Sequence, residues 1–196
     1  MEDILLYVKN LDTIISRESV TFTAEKGDII CIFGLNGSGK SVLLKTLCGI
    51  LDKKSGTISY NIDKNMTGVC LQFPEHLIFK ETALDEALII MNNNKDKAKS
   101  LLNEINAEAS MSPFYLSDGQ KRLLFIYGYL ETKDLIILDE PFVSLDDNSK
   151  IKVAAKIKDA ASSGKCIIYT ANRQADKEIA GKFIYIKEKY EQFRLF

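Results

Sequence analysis

The sequence predicts an α/β protein whose core is a mostly parallel sheet, with a helical insertion ahead of the second half of that sheet. Three observations predict it. Short apolar runs alternate along the chain with segments of helical periodicity. The run IICIF at 29–33 leads directly into a glycine-rich stretch, GLNGSGKS at 34–41, and helix-forming residues follow. The run LIIL at 135–138 is apolar at every position, as befits a strand buried on both faces, and ends in the acidic pair Asp139-Glu140.

Taken in order, ILLYV (4–8), SVTFT (19–23) and IICIF read as strands, and SVLLKTLCGIL (41–51) reads as the helix after the glycine-rich loop. TISY (57–60) and TGVCL (67–71) are strands again. From Thr82 to Glu108 the pattern is helical and polar, with NNNKDKAKS (92–100) marking a turn between two helices. A helix from about Ser117, the strand LIIL, a helix through IKVAAKIKDAA (151–161), the strand CIIY (166–169) and a final FIYIK (183–187) complete the series.

A chain of 196 residues can bury a sizeable core as a single domain. Lys and Arg total 26 against 27 Asp and Glu, so no bulk charge draws the molecule to nucleic acid or to an anionic membrane; no nucleic-acid partner is expected. The four cysteines, Cys31, Cys48, Cys70 and Cys166, lie far apart among apolar neighbours, and His76 is the only histidine. That pattern fits buried thiols in a reducing cytosol better than disulfides or a zinc site. The start, MEDILLYVKN, lacks the basic and apolar regions of a secretory signal. The longest apolar runs, such as LLFIYGYL, are too short to span a bilayer, so if a membrane is involved the chain is expected beside it.

The stretch 34–41 fits the Walker A pattern G-x-x-x-x-G-K-[ST] in the context that pattern requires, after a strand and before a helix. Glycines at 34, 37 and 39 let successive N–H groups turn toward phosphate oxygens, and the helix that follows adds its positive end. Lys40 supplies a charge for the β- and γ-phosphates, and the Ser41 hydroxyl can ligate Mg²⁺. In DLIILDEP (134–141) the two carboxylates emerge at the carboxyl end of a buried strand, where open α/β sheets bind ligands. Asp139 is placed to hold Mg²⁺ and Glu140 to activate or orient an attacking water.

A third motif, LSDGQ at 116–120, resembles the LSGGQ signature of ATP-binding cassette (ABC) ATPases. Gln72, after TGVCL, fits that family's Q-loop, and Ser144-Leu145-Asp146 fits its D-loop. The segment QFPEHLIFKETALDEAL (72–88), with SPF (112–114) ahead of the signature, is similar to the energy-coupling-factor (ECF) ATPases, which drive uptake of vitamins and of cobalt or nickel. The resemblance spans nearly the whole chain. It implies a P-loop NTPase cassette with N-terminal antiparallel strands, a core over 1–72 and 131–196, and a short helical subdomain over 73–130.

It also implies a site. ATP is held by Gly34, Leu35, Asn36, Gly37, Ser38, Gly39, Lys40, Ser41 and Val42, and by Ser117, Gly119 and Gln120 of the signature, which in the family face the partner subunit's phosphate. Mg²⁺ falls to Ser41, Gln72 and Asp139, and catalysis to Glu140, Lys40 and Gln72. The expected partners are a second ABC ATPase, as homodimer or heterodimer, and an integral membrane subunit docked near Gln72, Phe73, Pro74 and the helix from Thr82. The expected location is peripheral, on the cytoplasmic face of the membrane.

Four positions depart from the family pattern. Ala171 occupies the place of the switch histidine, followed by Asn172, so a hydrogen bond that stabilises charge is expected to be missing and turnover slow. Ile15 stands where an aromatic residue stacks on adenine, and Tyr7 is offset from that place. Val42 replaces a threonine, and Asp118 replaces a signature glycine, where its carboxylate either faces phosphate or caps the helix. These departures favour a heterodimer with a more complete cassette. They also keep in view a low-turnover nucleotide-binding regulatory module. A soluble ABC ATPase uncoupled from transport shares the motifs, but neither a coiled-coil insertion nor a basic DNA-facing surface is visible. The short insertion and the end at FRLF (193–196) suggest a compact cassette without a C-terminal regulatory domain.

Overall fold

The computed structural model describes residues 3–15 and 18–187, so the FRLF end lies outside the described residues. Strands β1 (Ile4–Asp12), β2 (Val20–Glu25) and β4 (Ser55–Tyr60) form an antiparallel sheet in the order β2-β1-β4. Strands β3 (Ile29–Phe33), β5 (Thr67–Cys70), β6 (Leu135–Leu138), β7 (Cys166–Ala171) and β8 (Lys182–Tyr185) form a second sheet, parallel throughout, in the order β5-β6-β7-β3-β8. Among the described residues five α-helices accompany them: α1 (Lys40–Leu47), α2 (Ala83–Ile90), α3 (Lys95–Glu104), α4 (Asp118–Thr132) and α5 (Asp147–Ser162).

The central strands are apolar at consecutive positions because each face of the parallel sheet has its own core. Ile30 and Ile32 of β3, Leu135 and Ile137 of β6, and Cys166 and Ile168 of β7 pack with α1 and the antiparallel sheet. Cys31, Ile136, Leu138, Ile167, Tyr169 and Ala171 point the other way and join a cluster that continues through α4 and α5 into α2 and α3. The segment 73–130 therefore shares one buried cluster with the sheet. Each fully buried Leu or Ile in these layers contributes on the order of 1.5–3 kcal/mol, which is why the apolar runs dominated the prediction.

Helix ends follow local chemistry. The helix expected over 41–51 begins at Lys40 and stops at Leu47, because Gly49 adopts φ 71° and the N–H groups of Gly49 and Ile50 donate back to Thr46 O and Lys45 O. The asparagine run turns as expected: Asn92 and Asn93 are left-handed, and the Asn94 side chain caps α3 by accepting from Lys97 N–H. Where α4 crosses α2, a Cβ at Gly128 would overlap Ile90 Cγ2, so only glycine permits this approach.

Candidate functional site

The parallel sheet sends the loop after β3, the loop after β6 and the end of β7 to the same carboxyl edge. At that edge Gly39 takes φ 104° at the N-terminal cap of α1, and Gly37 takes φ 80° before it, conformations that side chains disfavour. Lys40 begins the helix and is only 4% exposed. Its Nζ donates to the carbonyls of Gly34 and Leu35, both at 2.9 Å. Burial lowers its pKa, opposed by the nearby carboxylates of Glu140 and Asp139.

The Ser41 hydroxyl donates to Asp139 Oδ1 at 3.1 Å, and the Thr170 hydroxyl donates to the same oxygen at 2.6 Å. Asp139 is 1% exposed, and its second oxygen, Oδ2, is buried with no hydrogen-bond partner among the described residues. An unpartnered buried carboxylate oxygen beside a serine hydroxyl is the oxygen-donor chemistry that Mg²⁺ takes. The residues present therefore fit that ion, with Ser41 and Asp139 as its holders.

Glu140 has φ 49°, an uncommon backbone conformation for such a residue and one that costs on the order of 1–3 kcal/mol. Its N–H donates to Thr170 Oγ1 at 2.8 Å, and its carbonyl accepts from Arg122 Nη1 at 3.1 Å. The same Nη1 reaches Asp139 O at 3.2 Å, while Arg122 Nη2 reaches Gln72 O at 2.9 Å. One buried guanidinium on α4 thus joins the signature helix, the Walker B turn and the Q-loop. Sequence reasoning missed Arg122; the signal was a charged residue in the otherwise apolar RLLFIYGYL face of that helix.

A cleft of about 330 Å³ collects Asn36, Gly37, Gly39, Lys40, Ser41, Val42, Gln72 and Glu140, together with Ile15. Asp139 lies behind Ser41. Ser38 is buried in the loop and Leu35 is exposed on it. Ile15 lies so close that a Cβ on Gly39 would sit 2.9 Å from its Cδ1. Tyr7 does not line this cleft.

The signature residues Ser117, Gly119 and Gln120 do not line it either. Ser117 is exposed and caps α4, its hydroxyl accepting from Gln120 N–H at 3.2 Å. Gln120 has partners within its own chain. Its Oε1 accepts from Ser117 N–H, and its Nε2 donates to the carbonyls of Ile105 and Asn106, so the amide ties the end of α3 to the start of α4. Asp118 faces solvent, 3.7 Å from Lys121, and Ser117 rather than Asp118 is the cap. A Cβ on Gly119 would meet Ser144 O at 3.2 Å, which sets the signature directly on the D-loop of the same chain. In that loop Asp146 caps α5, and the bonds from Ser149 lower its pKa.

The end of β7 adds to this edge. Ala171 pairs with Phe33, accepts from Gly34 N–H and is buried in the apolar cluster, so position 171 faces away from the cleft. Thr170 alternates to the other face of β7, and Asn172 follows the strand in a bend. Asn172 Nδ2 donates to Asn36 Oδ1 at 2.6 Å and lies 3.5 Å from Glu140 Oε1. A polar donor is present at this edge after all.

Comparison with known proteins agrees with this geometry. The chain is 31% identical to the energy-coupling factor transporter ATP-binding protein EcfA2 of Mycoplasmoides gallisepticum, over 85% of this chain and 63% of that one. It is 34% identical to the EcfA2 of Staphylococcus epidermidis, over 72% of this chain and 58% of that one. The chain thus spans under two thirds of the length of these relatives. Among solved structures, an ATP-binding subunit of an ABC transporter superposes with a TM-score of 0.78 at 25% identity, over 93% of this chain and 85% of the other. Clostridium perfringens cbiO1, part of the ABC transporter complex cbiONQ, shares the fold with a TM-score of 0.72 at 23% identity, over 94% and 85%. Residues 18–143 match the ABC transporter family itself, and with the Walker A and Walker B elements converging on one cleft, the chain belongs to that family.

Proposed function

We propose that this chain is the ATP-binding and ATP-hydrolysing subunit of an energy-coupling-factor-type importer, acting at the cytoplasmic face of a membrane. The observation that carries the reading is the cleft in which Lys40, Ser41 and Glu140 meet Gln72, with Asp139 directly behind. The triphosphate lies along the N–H groups of the loop and the positive end of α1, with the Lys40 ammonium on its terminal phosphates. Ser41, Asp139 and Gln72 would hold Mg²⁺, which when bound would neutralise charge on the phosphate oxygens. Glu140 orients the attacking water and takes up its proton. The base rests near Ile15, beside a cavity of about 290 Å³ that Ile15, Val20 and Phe22 line together with Thr13, Ser19 and Thr21.

Ser117 and Gly119 lie on the surface outside their own cleft, which supports a head-to-tail pair of cassettes in which each signature closes the other's site. ATP binding closes the pair and hydrolysis reopens it, moving the membrane partner. A heterodimer fits best, with a more complete cassette supplying the stronger site. In this reading the core over 1–72 and 131–196 holds nucleotide, and the helical segment 73–130 receives the membrane subunit. Phe79 is 80% exposed, and Phe73 and Ile89 are exposed nearby. The buried Glu86 carboxylate holds this surface in shape by accepting from the N–H groups of Phe79 and Lys80, both at 2.9 Å. Among the described residues no helix is long and apolar enough to cross a membrane, so a separate subunit supplies the path. The cargo is a vitamin or a transition-metal ion, by analogy with the energy-coupling-factor group.

The test is phosphate release from Mg·ATP by the wild type and by Glu140→Gln, with identification of what co-purifies from native membranes. The expected result is turnover that Glu140→Gln abolishes, together with a multispanning membrane protein and a second cassette. Turnover indifferent to Glu140, or co-purification with DNA-bound proteins alone, contradicts the proposal.

A further inference from the structure

We infer that Asn172 is the positioning residue for the Glu140 carboxylate, an uncharged amide bridging the water-activating group to the phosphate-binding loop. This rests on the hydrolytic role proposed for Glu140. The Glu140 backbone is fixed at both ends of its residue, the N–H by Thr170 and the carbonyl by Arg122. What remains free is the side chain, and among the described residues Asn172 is the donor that reaches its carboxylate.

The amide has two hydrogens and uses them unequally. The 2.6 Å bond to Asn36 Oδ1 anchors it to the phosphate loop, while Glu140 Oε1 lies at 3.5 Å, a length at which a small swing of the carboxylate makes or breaks the bond. Asn36 and Glu140 both line the cleft, so the bridge spans its edge. A donor there does two things. It biases the carboxylate toward the loop that carries the phosphates, and it leaves the other oxygen free to receive a proton. Residue 171 cannot do this, because its side chain is buried in the apolar cluster.

The experiment is steady-state ATP hydrolysis by the wild type, Asn172→Ala, Asn172→Asp and Asn172→His, in the assembled complex, with thermal melting of each variant. Asn172→Ala removes the donor, and kcat should fall at least about tenfold with KM for ATP changed less than about twofold. Asn172→Asp keeps the shape but sets a second carboxylate against Glu140, and should fall as far or further. Asn172→His restores an N–H donor and should hold kcat within a few-fold of wild type. A residue that merely supports the fold would move KM and melting temperature with kcat and would tolerate the isosteric aspartate. If wild type turns over ATP and Asn172→Asp does so equally well, this inference is overturned alone. If wild type shows no turnover at all, the proposed function falls and takes this inference with it.

Discussion

Replacing Arg122 with alanine is the most informative perturbation of the scaffold behind the site. The guanidinium is 4% exposed and serves three backbone carbonyls, those of Gln72, Asp139 and Glu140. The bond to Asp139 O is fully buried and the other two are partly buried. Leaving a buried carbonyl without a donor costs about 1–3 kcal/mol, and partial access to water lowers that figure for two of the three. The Glu140 backbone returns some of the loss, since its φ of 49° no longer has to be maintained. The net expectation is destabilisation by about 3–5 kcal/mol, a large share of the roughly 5–15 kcal/mol that a domain possesses. Arg122→Lys keeps the charge but not the fork, and should lose about half as much. Urea unfolding of the three proteins measures this directly. Because the same side chain joins three segments of the site, kcat for ATP should fall in Arg122→Lys while the protein remains folded. A loss below about 1 kcal/mol in Arg122→Ala would refute the bridging role.

Four further outcomes follow from the geometry. Gly128→Ala should cost about 1–3 kcal/mol by overpacking against Ile90, and Ile90→Ala in the same chain should recover part of it; strict additivity in the double-mutant cycle would contradict the contact. Ile15→Tyr should tighten Mg·ATP binding about three- to tenfold, the equivalent of about 0.5–1.5 kcal/mol of stacking, as read by calorimetry; an unchanged Kd would place the base elsewhere. Ala171→His should lower the melting temperature and add no turnover, because position 171 faces the apolar cluster; a gain in kcat would contradict that orientation. Burial raises the thiol of Cys31 to about 11 and those of Cys48, Cys70 and Cys166 to about 12, from 9.0. A thiol harder to ionise folded than unfolded costs nothing below pH 9 and favours unfolding above it. The urea midpoint under reducing conditions should therefore decline above pH 9, less steeply when the cysteines are replaced by alanine.

The strands and the two phosphate-site motifs were legible in the sequence because their causes are local. LIIL is buried on both faces, and GLNGSGKS needs its glycines wherever it folds. The end of α1 was misjudged by four residues because the apolar Cys48 and Leu51 extend the helical pattern past Gly49, whose left-handed turn ends it. What stayed hidden depends on how distant segments meet. Arg122 acquires its role only when α4 lies against the ends of β5 and β6, and nothing near it in the chain reports the carbonyls it will find. The motif says nothing of the tie that Gln120 makes within its own chain, because it forms only when the chain reversal after α3 brings two carbonyls to its amide. The difference between Ala171 and Asn172 is that β7 ends between them: Ala171 is its last residue and packs in the apolar cluster, while Asn172 opens the bend that brings its amide to Asn36.

The central claim is that a triphosphate is gripped by the loop at Lys40. Titration calorimetry of Mg·ATP against the wild type and Lys40→Ala, each verified as folded by its melting curve, tests this most directly. The account predicts saturable binding by the wild type and a loss of at least about tenfold in affinity, about 1.4 kcal/mol, when the ammonium is removed. Equal affinity for the two proteins would contradict it.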